Sequence, residues 1–172
     1  ALDPLGQSPP PRLGPALLPD GQANAAIALL EGRPNRGGVG NAGLAQAYAM
    51  VGRFDKAADT LLLMGGGGNT DRKAIEEAAR LIRSPPTKVS DPSALLGWHF
   101  YQDFVYEYVG ASERLLDYPE RAMQAGQLLT AIWFAQNYAS VRKSERFKTL
   151  VREAGLVDYW NARGWPELCR PI

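Results

Sequence analysis

The sequence is poor in the side chains that build catalytic and metal centres. It has one cysteine, Cys169, and one histidine, His99, in 172 residues. A single cysteine excludes an internal disulfide. One cysteine and one histidine also argue against a zinc site, which takes three or four ligands of this kind. We therefore expect no metal, no cofactor and no enzymatic activity.

The sequence also has neither a dominant charge nor a long apolar run. Lys and Arg number 19 and Asp and Glu number 18, which gives a formal net charge of +1. This balance creates no field that would attract nucleic acid or an anionic membrane. No apolar run approaches the roughly 18 residues of a membrane-spanning helix. With 45% hydrophobic and 22% charged residues, the composition is typical of a globular protein.

Prolines are concentrated at the start of the chain. Because proline removes backbone donors and fixes φ, residues 1–20 are predicted to be an extended lead-in. This lead-in is either a tail or a tether to a missing domain or anchor. Residues 21–172 are predicted to form a single helical-repeat domain. The chain begins with Ala1 rather than Met, so we expect a removed leader or a longer protein.

Apolar periodicity predicts helices along the rest of the chain. Ala23, Ala26, Ile27 and Leu30 recur at i, i+3, i+4 and i+7, and Gly32 with Pro34 ends this helix. Residues 35–40 are predicted to form a Gly-rich turn. Further helices are predicted over residues 41–51, 54–64, 71–82, 92–109, 112–116, 119–125, 128–140 and 144–154. No series of alternating strands is present, so the predicted class is all-α.

One segment, residues 43–62, carries the pattern of a helical hairpin. The first-helix positions are Leu44, Ala45 and Tyr48, the turn is Gly52, and the second-helix positions are Phe54, Ala57 and Leu61. This spacing resembles a tetratricopeptide repeat. Tyr106 and Gly110 repeat the Tyr48–Gly52 spacing 58 residues later (110 minus 52), with Asp103 where a small residue normally packs. We therefore expect an irregular array of antiparallel hairpins.

The C-terminal part carries a second resemblance. It depends on residues 104–114, Trp133 and residues 141–160, and most specifically on the tail, residues 146–171, with its aromatic residues and Cys169. These segments resemble bacterial tetratricopeptide-repeat-like C-terminal domains found after winged-helix transcription regulators and adenylate cyclase-type domains. The resemblance implies a sensor or binding region, in the bacterial cytoplasm or periplasm. Neither effector domain lies in these residues, so neither activity transfers. Tyr159, Trp160 and Trp165 are expected to form an aromatic C-terminal cap.

The aromatic helix predicted over residues 92–109 is the best candidate for recognition. If Gly110 is a turn, then Phe100, Phe104, Glu107 and Tyr108 fall at positions that line the concave face of such repeats. Gln46, Ala49 and Met50 are the equivalents in the first repeat. A groove with aromatic anchors and a carboxylate would suit a peptide or a small amphiphile. The candidate binding residues are Gln46, Met50, Trp98, Phe100, Phe104, Glu107 and Tyr108. The alternative is that most of these aromatic side chains are core.

Several other features have an ordinary structural interpretation. Residues 65–71 are Gly-rich but lack the Lys-Ser/Thr of a phosphate-binding loop, so they are interpreted as a linker. The basic stretch from Arg142 to Arg152 is interpreted as a solvated helix face, with an acidic partner as the alternative. Cys169 is interpreted as a small buried side chain.

The sequence therefore predicts a non-enzymatic interaction or sensor module. Its expected partner is a protein segment, a peptide or a small molecule, without direct nucleic-acid binding. One alternative is an assembly subunit that self-associates, for example as a homodimer, through the aromatic helix. A less favoured alternative is a small helical enzyme that uses His99 with Asp103 or Glu107.

Overall fold

The described part of the chain is all-helical. A computed structural model describes residues 17–18, 21–33, 37–64, 72–83, 91, 93, 95, 103–127 and 139–165. Every regular element within these ranges is a helix. In chain order they are α1 (Ala23–Glu31), α2 (Gly37–Met50), α3 (Phe54–Leu62), α4 (Arg72–Arg83), α5 (Val105–Tyr108), a 3₁₀ helix (Ser112–Leu116), α6 (Asp117–Gln124), α7 (Glu145–Glu153) and α8 (Leu156–Arg163). None of these helices has the length and apolar character needed to cross a membrane.

The first four helices pack in sequence order, α1 on α2, α2 on α3 and α3 on α4. The predicted stripes are confirmed. Helix α1 buries Ala23, Ala26, Ile27 and Leu30, and α4 buries Ala74, Ile75, Ala78, Ala79 and Ile82. Just before α1, Leu18 is also buried in the core. The small side chains at these interfaces allow the helix backbones to approach closely.

Helix α2 begins earlier than predicted. Its first residue is Gly37, inside the segment expected to be a Gly-rich turn, so that prediction is wrong for residues 37–40. Gly40 and Ala42 are buried because α2 lies against both α1 and α3. Tertiary packing therefore overrides the low helix propensity of glycine. No residue of α2 is charged, as expected for a helix covered on two sides.

The turn between α2 and α3 depends on Gly52. Its φ of +75° lies in the left-handed region that side chains disfavour. The amide of Gly52 donates to the carbonyl of Ala49 at 3.0 Å, and the amide of Arg53 donates to the carbonyl of Tyr48 at 2.8 Å. This pair of bonds is a Schellman motif, which closes the C-terminal end of α2. The predicted turn is confirmed.

Side chains from three helices meet at Tyr48. Its hydroxyl donates to a carboxylate oxygen of Glu31 at the end of α1. The ammonium group of Lys56, on α3, lies 5.3 Å from the centre of the Tyr48 ring and 3.9 Å from the Glu31 carboxylate. One tyrosine on α2 therefore links α1 to α3.

The long aromatic helix predicted over residues 92–109 is wrong as a continuous element. The chain bends at Leu95 and turns at Asp103 and Phe104, and α5 begins at Val105. The Asp91 carboxylate accepts from the amide and hydroxyl of Ser93 at 2.9 and 2.6 Å. The Ser93 carbonyl accepts from Arg114 at 3.3 Å. The bond to Asp91 is of the kind that caps the start of a helix, so the continuity is broken by the bend at Leu95 and the turn at Asp103.

The turn after α5 repeats the geometry of the turn after α2. Gly110 has a φ of +69°, and the amide of Ala111 donates to the carbonyl of Tyr106 at 2.9 Å. The 3₁₀ helix follows and continues directly into α6, so two predicted helices form one segment. Leu115 and Leu116 of the 3₁₀ helix are fully buried.

Helix α7 is tied to this segment by Arg146. Its guanidinium donates to Glu120 at 2.7 Å, to Asp117 at 2.8 Å and to the carbonyl of Glu113 at 2.8 Å. Hydrogen bonds to Glu120 and Asp117 raise the pKa of Arg146 above its ordinary value. Arg114 pairs with the same Asp117. The prediction of a simply solvated basic face is therefore wrong at Arg146.

The two C-terminal helices have nine and eight residues. Ser144 caps α7, because its hydroxyl accepts from the amide of Phe147 at 3.2 Å, and Gly155 ends the segment as predicted. Helix α8, which the sequence did not predict, begins directly afterwards. Tyr159 on α8 is 60% exposed, so it does not contribute to an apolar cap. Of the helix predicted over residues 128–140, only Ala139 and Ser140 are described, and they form a turn.

Candidate functional site

Five of the seven candidate binding residues lie in the described part of the chain. Gln46 and Met50 are half-buried on α2, and Glu107 and Tyr108 are half-buried on α5. Phe104 is 2% exposed, so it lies beneath the surface instead of lining a groove. Trp98 and Phe100 lie outside the described residues, as do His99, Cys169 and the Gly-rich segment 65–71. The predictions made for those residues stay predictions.

An aromatic contact connects α5 to the first four helices. The centre of the Tyr108 ring lies 5.8 Å from the centre of the Phe54 ring, and the two ring planes make an angle of 74°. It also lies 6.4 Å from the ring of Phe104 at 86°. Both contacts are edge-to-face, the arrangement that ring quadrupoles favour. Phe54 begins α3, so Tyr108 bridges two parts of the chain that are distant in sequence.

The carboxyl group of Glu107 is the chemically unusual group here. The hydroxyl of Ser140 donates to its Oε1 at 3.0 Å, across 33 residues of sequence. Burial raises the pKa of Glu107 to about 7, although the Ser140 hydrogen bond and the nearby charge of Arg142 oppose that shift. A carboxyl with this pKa is about half ionised near neutral pH. It can therefore both accept and donate a hydrogen bond under physiological conditions.

Tyr108 stays protonated beside it. Burial, and the negative charge of Glu107, raise the pKa of Tyr108 to about 12. Among the described residues, the Tyr108 hydroxyl has no hydrogen-bond partner, and Glu107 has Ser140 alone. Half-buried polar atoms with unused hydrogen-bonding capacity can bind water or a ligand.

We refer to this arrangement as the Glu107 site. It consists of Phe54, Glu107, Tyr108, Ser140 and Arg142. The sequence pattern predicted Glu107 and Tyr108 as binding residues, but it did not predict that the other three residues lie near them. Phe54 was interpreted as a packing residue of the repeat and Arg142 as part of a solvated face. No local pattern marks Ser140, because it reaches Glu107 only through the fold.

The described residues contain no cluster of three or more His, Cys, Asp or Glu side chains that could hold a metal ion. The Glu107 site offers hydrogen bonding, charge and aromatic contact. Asp103, a candidate partner of His99 in the enzyme alternative, is 4% exposed and thus lies in the core rather than in a cleft.

No protein-family model, no curated protein and no solved structure matches the chain.

Proposed function

We propose that the chain is a non-enzymatic binding module that recognises a peptide segment or small ligand at the Glu107 site. One observation carries this proposal. A half-buried phenol and a half-buried carboxyl lie side by side, and among the described residues their hydrogen-bonding capacity is only partly used. Aromatic rings with a few convergent polar groups are typical of ligand sites.

The proposed architecture is a tetratricopeptide-like array of antiparallel hairpins. Two Schellman turns support it, one at Gly52 and one at Gly110, each closed by a bond to a tyrosine carbonyl five residues before the donor. The proposed aromatic cap consists of Trp160 and Trp165 without Tyr159. Their ring centres lie 5.3 Å apart, and the Trp165 indole donates to Asn161 at 3.1 Å.

A sensor role would use the contact between Phe54 and Tyr108. A ligand that moves the Tyr108 ring also acts on the first residue of α3, and through α3 on the four packed helices. Differential contact of this kind is the physical requirement for passing occupancy from one region to another. The proposal includes this coupling but depends first on binding.

Selection from a displayed random-peptide library on the purified chain tests the proposal. We expect enriched peptides whose binding falls at least about tenfold in Tyr108→Ala, because the site loses its central aromatic contact. The matched control is Tyr159→Ala, which removes the same side chain from an exposed position on α8. Circular dichroism checks that both variants are folded.

Two results would contradict the proposal. The first is the absence of any peptide, or of any compound in a parallel fragment screen, that binds above background. The second is binding that Tyr108→Ala leaves intact while Tyr159→Ala abolishes it, which would place recognition on α8.

A further inference from the structure

The chemistry of the Glu107 site allows the ligand class to be narrowed. We propose that the Glu107 site binds an organic ammonium group, held between the Glu107 carboxylate and the rings of Phe54 and Tyr108. This inference rests on the proposed function. A lysine side chain of a peptide and a free primary amine share this chemistry.

The Glu107 carboxylate can accept a further hydrogen bond. Ser140 donates one hydrogen bond to Oε1, and no described residue donates to the other oxygen. A carboxylate that is partly removed from water gains from a positively charged donor, since charge-assisted hydrogen bonds are shorter and stronger than neutral ones. A ligand ammonium would offset the desolvation that now destabilises the charged form of Glu107.

The rings of Phe54 and Tyr108 also favour a cation. A cation is attracted to the face of a tyrosine or phenylalanine ring within about 6 Å of its centre. Phe54 and Tyr108 are both half-buried, so their rings remain partly accessible. The Tyr108 hydroxyl, which has no partner among the described residues, can accept one more hydrogen from an ammonium group.

The same protein already binds one ammonium group in this way. Lys56 lies 5.3 Å from the centre of the Tyr48 ring and 3.9 Å from the carboxylate of Glu31, which in turn accepts from the Tyr48 hydroxyl. These three residues are a tyrosine, a glutamate and a lysine that supplies the ammonium group. At the Glu107 site the tyrosine and the glutamate are present, and the described residues place no lysine between them.

Arg142 distinguishes a cationic from an anionic ligand. Its charge acts on Glu107 and lowers the pKa of that carboxyl, against the effect of burial. An ammonium ligand would be repelled by Arg142 and attracted by Glu107, whereas a carboxylate ligand would have the opposite preference. Glu107 precedes Tyr108 on α5 and its negative charge acts on the phenol, so the charge next to the aromatic ring favours the ammonium group.

Titration of the full chain by two-dimensional NMR tests the proposal. The probes are n-butylamine, an acetylated and amidated tripeptide with a central lysine, and the same tripeptide with that lysine acetylated on its side chain. We expect shifts of the Glu107 and Tyr108 amides with the charged tripeptide and none with the acetylated one. Butylamine giving the same shifts as the charged tripeptide indicates a small amine ligand. Shifts with the tripeptide alone indicate a lysine-containing segment.

The pH dependence gives an independent readout. Only ionised Glu107 attracts the cation, and its pKa is about 7. The affinity should therefore rise about tenfold between pH 6 and pH 8, and calorimetry in two buffers should detect proton release near pH 7. A pH-independent affinity without proton release would overturn the proposal.

Matched variants complete the test. Glu107→Gln should weaken ammonium binding about tenfold and remove its pH dependence, whereas Glu153→Gln, an exposed control on α7, should change neither. Arg142→Gln should strengthen binding. If Arg142→Gln weakens it, the ligand is an anion and this inference is wrong. If ammonium probes fail but other peptides still require Tyr108, the inference falls while the proposed function stands.

Discussion

The first four helices and the C-terminal helices are stabilised by different means. Between α1 and α4 the interfaces are apolar and rich in alanine; Ala26, Ala45, Ala57, Ala58 and Ala78 are all 0% exposed. After Gly110, charged side chains connect short segments, with Arg146 bound to Asp117 and Glu120. The first region is specified by periodicity along each helix. The second is specified by pairs of residues that are far apart in sequence.

The largest expected effect lies in the first region. Leu61 is 0% exposed on α3, which packs on both α2 and α4. Leu61→Ala should lower the free energy of unfolding by about 3 kcal/mol, because it removes buried apolar atoms and leaves a cavity. Urea denaturation measures this value. Leu63→Ala is the matched control, since Leu63 is 63% exposed, and it should cost less than about 0.5 kcal/mol.

The same variant tests whether the two regions unfold together. Trp160 and Trp165 lie on or next to α8, so with Trp98 and Trp133 replaced by Phe in both proteins the fluorescence reports the second region, while circular dichroism reports both. We expect Leu61→Ala to lower both midpoints equally, because the Phe54–Tyr108 contact joins the regions. A fluorescence midpoint that does not move would show that the regions are energetically separate.

The next effect is in the second region. Arg146→Ala should lower the free energy of unfolding by about 2 kcal/mol, since Asp117 and Glu120 would lose a charged partner at a partly buried position. Arg152→Ala, at an exposed position on the same helix, is the control. Equal losses in the two variants would mean that the ion-pair cluster behaves like ordinary surface charge.

Stability should also depend on pH through Glu107. Its folded-state pKa of about 7 lies above the ordinary value of 4.5, so the folded chain holds this proton more tightly than the unfolded chain does. The resulting stabilisation is complete below about pH 4.5 and is lost as the pH rises through 7. Allowing for solvent screening of a partly exposed group, we expect a loss of about 1.5 kcal/mol between pH 5 and pH 8.

Urea denaturation at several pH values measures this loss. The variant Glu107→Gln should remove the slope between about pH 4.5 and pH 7, while Glu153→Gln should retain it. A slope unchanged in Glu107→Gln would show that another group titrates in this range.

The smallest expected effect is at the three-helix contact. Tyr48→Phe removes the hydroxyl that donates to Glu31 and should lower the free energy of unfolding by about 0.5 to 1 kcal/mol. Tyr159→Phe is the control on an exposed ring. A neutral Tyr48→Phe would mean that the packing of the ring, and not its hydrogen bond, joins α1 to α3.

Sequence periodicity predicted the first region well, for a physical reason. The stripe from Ala23 to Leu30 and the turn at Gly52 depend on residues close in sequence, namely the helical repeat and the left-handed conformation that glycine accepts. The one clear error, the late start assigned to α2, arose because burial on both sides compensates for the glycines of residues 37–40.

The second region could not be predicted in the same way. The predicted continuous aromatic helix is interrupted by a bend at Leu95 and a turn at Asp103 and Phe104. Helix α8 was not predicted because it starts immediately after Gly155, which the sequence pattern indicates as the end of α7. At the Glu107 site the sequence indicated the tyrosine and the glutamate. Ser140 and Arg142 are brought there only by the tertiary fold.

The uncharged helix α2 has a consequence for chain connectivity. Its buried residues contact α1 on one side and α3 on the other, and the bonds that end it lie within residues 48–53. The peptide link after Arg53 therefore contributes little to holding α2 in place. A protease cut at this exposed arginine would leave two fragments that remain associated, each supplying the apolar surface that the other requires. The protein is thus a candidate for fragment complementation, in which two separate fragments associate to form the fold.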